Sequence, residues 1–437
     1  MNNNHEHSQL ALGGKDTPPM LKVVENEHED ENEFTSHLDK VIRVGAQRML
    51  AAALQAEVEE YVARYANERD ESGRRLVVRN GTAEPREVVT GAGPVEVEAP
   101  RVNDKRVVDG ERQKFTSAIL PPYMRRSPKV DEVLPLLYLR GLSTNDFRPA
   151  LEGLLGEQAS GLSATAITRL TAQWEAEHKA WKARDLSDKD FVYVWADGIH
   201  LNIRLEEDRL CLLVIIGVRP DGTKELVAVE DGYRESSESW SSVLRSLRDR
   251  GMRAPALAVG DGALGFWTAV RDVWPETKEQ RCWFHKMGNV LDKLPKRLQP
   301  KGKKLLREIM YADSRQDAEE GIDAFETEFA PKHQRAVDCL VKDRDKLLTL
   351  FDFPAEHWKH LRTTNVIESS FSTVRLRQRV TKGAGCRTKG IAMAFKLLDM
   401  AQARWRRLNG SELLPLVRAG VRFVDGIQHE RDEEDAA

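Results

Sequence analysis

Between Phe191 and Val229 the chain commits itself to a sheet. The run Phe191-Val192-Tyr193-Val194-Trp195-Ala196-Asp197-Gly198-Ile199-His200-Leu201-Asn202-Ile203-Arg204 alternates as a strand. Leu210-Cys211-Leu212-Leu213-Val214-Ile215-Ile216-Gly217-Val218 then reads as a strand buried on both faces. Arg219-Pro220-Asp221-Gly222 is a turn signal, and Lys224 to Val229 makes a third strand. Ser236 or Ser237 can cap a helix that runs through Leu247 and ends at Gly251. Ala256-Leu257-Ala258-Val259 is a short fourth strand, a helix follows from about Ala263 to Val273, and Gln280-Arg281-Cys282-Trp283-Phe284-His285 is a fifth strand.

A three-strand meander followed by helix, strand, helix and strand is the order of an α/β, RNase H-like mixed five-stranded sheet. Crossover helices require strands four and five to run parallel, beside the first. From Met287 to about Asp352 the chain is helical and charged, which places a helical insertion ahead of the helix that carries Glu368. At 437 residues several domains are expected. The expected divisions are an acidic, disordered tail (1–33), a helix with a small β hairpin (34–127), and a helical, helix-turn-helix-like DNA-binding region (128–186). The core follows in two parts (187–286 and 356–410) around the insertion (287–355), with a C-terminal tail (411–437). Regions 34–127 and 128–186 together make a mainly helical N-terminal part. In it, apolar positions at helical spacing run from Phe34 to Glu68, and Val88 to Glu98 reads as the hairpin. The helix-turn-helix pattern lies in Leu134 to Phe147 and Ser160 to Leu170.

This order puts Asp197 on the first strand and Asp261 just after the neighbouring fourth, so their side chains can meet at one end of the sheet. Glu368 is the third acid. From Arg362 to Arg407 there are 11 Lys or Arg residues and two acids, Glu368 and Asp399. Such a surface suits phosphate backbones, and an acid among these cations would repel a polyanion unless a divalent cation came between. Asn365-x-x-Glu368 also fits a capping box, with Asn365 as N-cap and Glu368 at N3. The two readings are compatible. Asp197, Asp261 and Glu368 together form an oxygen ligand set for Mg2+, with Mn2+ as a substitute, for two ions about 3.5–4 Å apart. Either Asp-Gly pair alone is an ordinary turn signal.

Cys282-x-x-His285 is half of a zinc site, and His357-x-x-His360 has the spacing of another half. The alternative, in which Cys282 packs in the core and His285 makes hydrogen bonds near the site, is preferred, and zinc is not expected as a cofactor. Arg362, Asn365, Arg375, Arg377, Arg379, Lys382, Arg387 and Lys389 are the candidate contacts to the DNA backbone. Trp405 can stack on a base or anchor its helix. The net charge of -3 averages acidic ends with this basic stretch and says nothing against nucleic acid. Four separated cysteines fit a reduced compartment. A polar, acidic start without a signal-peptide pattern, and no apolar run of spanning length, give the expectation of a cytoplasmic chain with no membrane partner.

The residues also resemble a known pattern. Trp195-Ala196-Asp197-Gly198, Val259-Gly260-Asp261-Gly262, Gln280 to Lys286, Phe353 to Trp358, and His360-Leu361-Arg362-Thr363-Thr364-Asn365-Val366-Ile367-Glu368-Ser369 are similar to blocks of the mutator-type transposases of bacterial insertion sequences. The resemblance covers most of the chain beyond residue 40. It implies an RNase H-like fold with a helical insertion, and Asp197, Asp261 and Glu368 as the metal-binding catalytic residues. It makes Cys282 and His285 auxiliary or structural. It further implies a region that binds terminal inverted repeats in double-stranded DNA, strand cleavage by water, and transfer of the freed 3′-hydroxyl into target DNA. A homodimer or higher homo-oligomer on DNA, near the bacterial nucleoid, goes with that role. Departures are small: Gly262-Ala263-Leu264 lacks the polar or basic residue common there, and Val366 stands where Pro or Ala is common. An RNase H-like nuclease and a catalytically silent DNA-binding protein are the competing readings.

Overall fold

The computed structural model describes residues 34–140, 142, 164–204, 209–262 and 264–429. The acidic stretches expected at 1–33 and from residue 430, and residues 143–163 of the expected helix-turn-helix, lie outside these residues. The chain divides after Arg125 into two units.

In the first unit α1 (Phe34–Arg64) buries Leu54 against Val88, Val95 and Val97 of a hairpin, with Val58 also buried. The hairpin is β2 (Arg86–Thr90) with β3 (Gly93–Val97), as expected. Two further antiparallel pairs accompany it. β1 (Val77–Thr82) pairs with β4 (Pro100–Asp104), and β5 (Val107–Val108) with β6 (Glu111–Arg112). β1 buries only Val77, so no alternation marks it in the sequence. Its register slips between Arg79 and Thr82, where Gly81 takes φ +68 as a bulge requires.

The second unit carries α2 (Pro128–Arg140), α3 (Ala164–Lys182) and the five-stranded sheet. Its strands are β7 (Tyr193–Leu201), β8 (Leu210–Val218), β9 (Lys224–Asp231), β10 (Leu257–Gly260) and β11 (Lys278–Arg281), in the order β11-β10-β7-β8-β9. β7, β8 and β9 are antiparallel neighbours, while β10 runs parallel to both β7 and β11. This is the expected mixed sheet.

The apolar runs follow from burial on two faces. Tyr193, Trp195, Ile199 and Leu201 of β7 enter one core with Leu210, Leu212, Val214 and Ile216 of β8. Val194 and Ala196 enter the other with Cys211, Leu213 and Ile215. The second core is closed by α4 (Ser237–Asp249) and α5 (Phe266–Val273) through Trp240, Leu244, Phe266 and Trp267. Ser236 caps α4 by accepting from Ser239 N–H. The first core is closed by α11 (Asn365–Thr381), α12 (Arg387–Gln402) and the insertion.

That insertion begins earlier than expected. β11 stops at Arg281, Cys282 is the N-cap, and Trp283 opens α6 (Trp283–Leu291) instead of extending the strand to His285. α7 (Gln299–Met310), α8 (Arg315–Val341), α9 (Arg344–Leu348) and the short α10 (Trp358–Leu361) follow. α8 is kinked at His333, just after Pro331, where the backbone leaves helical geometry.

Candidate active site at the ends of the parallel strands

Strand period alone sets two acids side by side. Asp197 is in phase with Tyr193 and Trp195, and Asp261 with Leu257 and Val259, all of which enter the core beneath α11. The last register pair of β7 and β10 is Ala196 with Gly260, so Asp197 and Asp261 are the next step on each strand. The same step beyond Gly260–Arg281 is Cys282, whose N–H donates to the Gly260 carbonyl at 2.8 Å. Asp197, Asp261 and Cys282 thus form a row across three parallel strands. Asp197-Gly198 is not a turn, since it lies within β7.

Both aspartates are buried, at 4% and 7% exposure. One cation serves them. Arg234, in the loop after β9, places Nη2 3.0 Å from Asp197 Oδ1 and 3.0 Å from Asp261 Oδ2. Gly198 makes room for it, because a Cβ there would lie 2.9 Å from Arg234 Cγ. The Gly198 N–H donates to Asp197 Oδ1 at 2.8 Å, while Asp261 Oδ1 is buried without a hydrogen-bond partner. Burial pushes the Asp197 pKa up, against the charge of Arg234. No spacing in the sequence points to Arg234.

Glu368 arrives on α11, but not in the expected capping box. Thr364 is the N-cap and Asn365 is the first helical residue, exposed. The Thr364 hydroxyl does not cap. It donates to Glu368 Oε1 (2.5 Å) and contacts Cys282 Sγ (3.3 Å), and the Thr364 N–H points at the same sulfur (3.4 Å). A side-chain cap is worth about 1 kcal/mol. Burying Ile367, Phe371 and Val374 stabilises by about 1.5–3 kcal/mol each, which outweighs the cap and fixes how α11 lies. The expected capping box overlooks Thr364, although Thr is itself a good N-cap residue.

His285, on the first turn of α6, faces Glu368 with Nε2 3.7 Å from Oε1. The Cys282 sulfur beside it outweighs burial and, with the Asp261 and Glu368 carboxylates, pushes the His285 pKa up to about 9. Cys282, His285 and Glu368 have ligand atoms within 4.8 Å of one another. The structure therefore brings together Asp197, Asp261, Glu368, Cys282 and His285.

It does not bring His357 and His360 to Cys282. His357 Nε2 lies 2.8 Å from the Gly410 carbonyl, which can only accept, so Nδ1 accepts from the Tyr193 hydroxyl at 2.8 Å. His360 Nε2 meets Asn409 Oδ1 at 3.2 Å. Burial lowers the pKa of His357 and takes that of His360 to about 4. The unfolded chain takes up protons below 6.5 and the folded chain does not. Their contribution is therefore intact above 6.5 and is lost as pH falls toward 4. We expect His360 alone to cost about 1–2 kcal/mol at about pH 5 after solvent screening, with His357 acting in the same direction. Urea midpoints across that window check it, and His360→Gln should flatten the slope.

The basic residues divide in two. Arg375, Arg379, Lys382 and Lys389 are exposed. Arg377 is not the surface contact expected: it is 1% exposed and lies 4.2 Å over the Tyr138 ring. Arg362 is half-buried over Tyr311 and Trp358, and Arg387 pairs with Asp231 at 2.7 Å. Trp405 is half-buried against the main core, which favours its anchoring role.

The chain is similar to known proteins over most of its length. The pattern of the family described as "Transposase, Mutator family" matches residues 20–385. The chain is 59% identical over 302 residues to the transposase for insertion sequence element IS6120 of Mycolicibacterium smegmatis, covering 69% of this chain and 93% of that one. It is 47% identical over 279 residues to the transposase for insertion sequence element IST2 of Acidithiobacillus ferrooxidans, covering 64% and 94%. Against the transposase for insertion sequence element IS256 in transposon Tn4001 of Staphylococcus aureus, identity is 26% over 330 residues, covering 74% and 80%.

Proposed function

The chain belongs to the Mutator family of transposases, and from that premise we propose that it cuts and joins DNA with Asp197, Asp261 and Glu368 on an RNase H-like sheet. The substrates are the terminal inverted repeats of an insertion sequence and a target duplex. Hydrolysis frees a 3′-hydroxyl at the element's end, and that hydroxyl then attacks a target phosphodiester.

The observation that carries this reading is the buried aspartate pair, side by side on adjacent parallel strands, with Glu368 near enough for its charge to act on Asp197. These residues fit a divalent cation. Arg234 already sets positive charge between the two carboxylates, and Asp261 Oδ1 is an unused buried acceptor. Asp197, Asp261 and Glu368 would hold Mg2+, or Mn2+ in its place. When bound, the ion supplies charge neutralisation at the phosphate and a more acidic attacking oxygen. The protein's own part is positional. β7 and β10 hold the aspartates rigidly, Thr364 orients the Glu368 carboxylate, and His285 keeps its proton at neutral pH beside it.

The experiment is incubation of the full chain with labelled end-sequence duplex, supercoiled target and Mg2+. Joined strands support the transposase reaction. Hydrolysed ends alone would mean a nuclease, and unchanged DNA a binding protein only.

The exposed cations carry a separate expectation. Arg375→Ala, Arg379→Ala and Lys382→Ala should each weaken duplex binding across sequences and lower the salt slope by about one. Arg377→Ala should instead cost about 1–3 kcal/mol of stability, because it removes a buried cation packed on Tyr138. Anisotropy titrations at several salt concentrations check the first group. An unchanged slope in Arg375→Ala/Arg379→Ala would remove this face from the DNA path.

A further inference from the structure

We propose that Cys282, His285 and Glu368 form a second cation site, selective for thiophilic divalent ions such as Zn2+, whose filling withdraws Glu368 from the aspartates. The catalytic consequence rests on the role proposed above for Glu368; the binding itself does not.

The three donors are sulfur, nitrogen and oxygen, a set that suits Zn2+ and is poor for Mg2+. They converge from two elements, the N-terminal end of α6 and the first turn of α11. Their mutual separations within 4.8 Å compare with about 3.5 Å between ligands on a tetrahedral Zn2+, whose bonds are about 2.0–2.3 Å. The His285–Glu368 contact, at 3.7 Å, is already close to that spacing. Two further observations point to a ligand here. Cys282 is 1% exposed with its sulfur turned to this spot, and His285 stands beside that sulfur with Nε2 toward Glu368. The Thr364 N–H, aimed at the sulfur, favours a thiolate. Any proton on the sulfur or on the binding imidazole nitrogen leaves to solvent as the ion binds, and the bound ion keeps the thiolate, the imidazole and the Glu368 carboxylate, with water as a fourth ligand.

Competition follows from shared ownership of Glu368. The hard-ion set needs it beside Asp197 and Asp261, whereas the soft-ion set holds it against Cys282 and His285. Zinc on this reading is an inhibitor and not a cofactor.

The test uses the full-length protein, with Cd2+ as a spectroscopic stand-in and Zn2+ for calorimetry. One Cd2+ per chain should give a thiolate charge-transfer band, and its NMR signal should fall in the range for one sulfur with nitrogen and oxygen. Cys282→Ser should abolish the band and Cys386→Ser should leave it. A band that survives Cys282→Ser, or no band in the wild type, overturns the proposal. Since Cys282→Ser also disturbs the Thr364 contacts, a second arm titrates Zn2+ into His285→Ala and Glu368→Gln. Each should bind at least about tenfold more weakly, and Asp197→Asn should bind as the wild type does. Equal weakening in Asp197→Asn would mean that the ion sits at the aspartates, which also overturns it. Loss of strand transfer in Asp197→Asn with Zn2+ affinity intact keeps this proposal separable from the catalytic one.

Discussion

Asp197→Asn should lower strand transfer by about a thousandfold or more while leaving the protein folded. The substitution keeps the shape and one oxygen, so the Gly198 N–H retains an acceptor at the position it now bonds at 2.8 Å. The negative charge is lost, and with it the ability to share a cation with Asp261. Folding should tolerate the change because burial already opposes the charged form. The assay is joined-product yield on a pre-cut end with Mg2+, beside a thermal melt. Transfer within tenfold of wild type would remove Asp197 from the reaction. Asp261→Asn should behave in the same way, and Glu368→Gln should fail at both cutting and joining.

Arg234→Gln has the second largest expected effect, and its size depends on metal: large without divalent ions and small with them. Without divalent ions, two buried carboxylates lose the guanidinium that lies 3.0 Å from each. Removing one partner of a buried ion pair costs about 3–5 kcal/mol, so the metal-free melting temperature should drop. With Mn2+ the deficit should largely disappear, because the ion replaces the missing charge. The increase in melting temperature on adding Mn2+ should therefore be larger in Arg234→Gln than in wild type. Equal increases would mean that Arg234 and the metal do not contend for the same carboxylates. Arg234→Lys keeps a cation and should fall between the two.

The meander was legible in the sequence because β7, β8 and β9 are eight or nine residues long and largely apolar, with turn signals between them. The order of strands followed from the helices between them, and the positions of Asp197 and Asp261 followed from the order. The first unit was harder to read. β1, β5 and β6 are short and mostly exposed, so hydrophobic pattern does not reveal them. The end of β11 differs from expectation because Cys-Trp-Phe-His suits a strand by composition, yet Trp283 is needed in the insertion's core, where its indole N–H donates to the Leu347 carbonyl. The cap of α11 is off by one residue, since Thr364 and Asn365 are both cap formers and the tertiary contact of Thr364 with Cys282 decides between them. Arg377 shows the same limit. Its neighbours at Arg375 and Arg379 look identical in a charge count, and only the helix phase puts it beneath α2, against Tyr138. Arg234 had no signal at all, because an arginine in a loop acquires its meaning from the two acids that the fold brings to it.

The helix bearing the third acid is fastened from behind. Tyr193 grips His357, Trp195 donates from its indole to the His360 carbonyl, and the Trp283 N–H donates to the Arg362 carbonyl. These three rivets join β7 and the insertion to the few residues that lead into α11. Mobile elements leave copies that drift under mutation, and a change at any rivet would tilt the glutamate away without touching an acid. Inactive descendants of this element should therefore accumulate in which Asp197, Asp261 and Glu368 are intact and Tyr193, Trp195 or His357 is not. An audit of such copies for working ones would need to read the rivets before the acids.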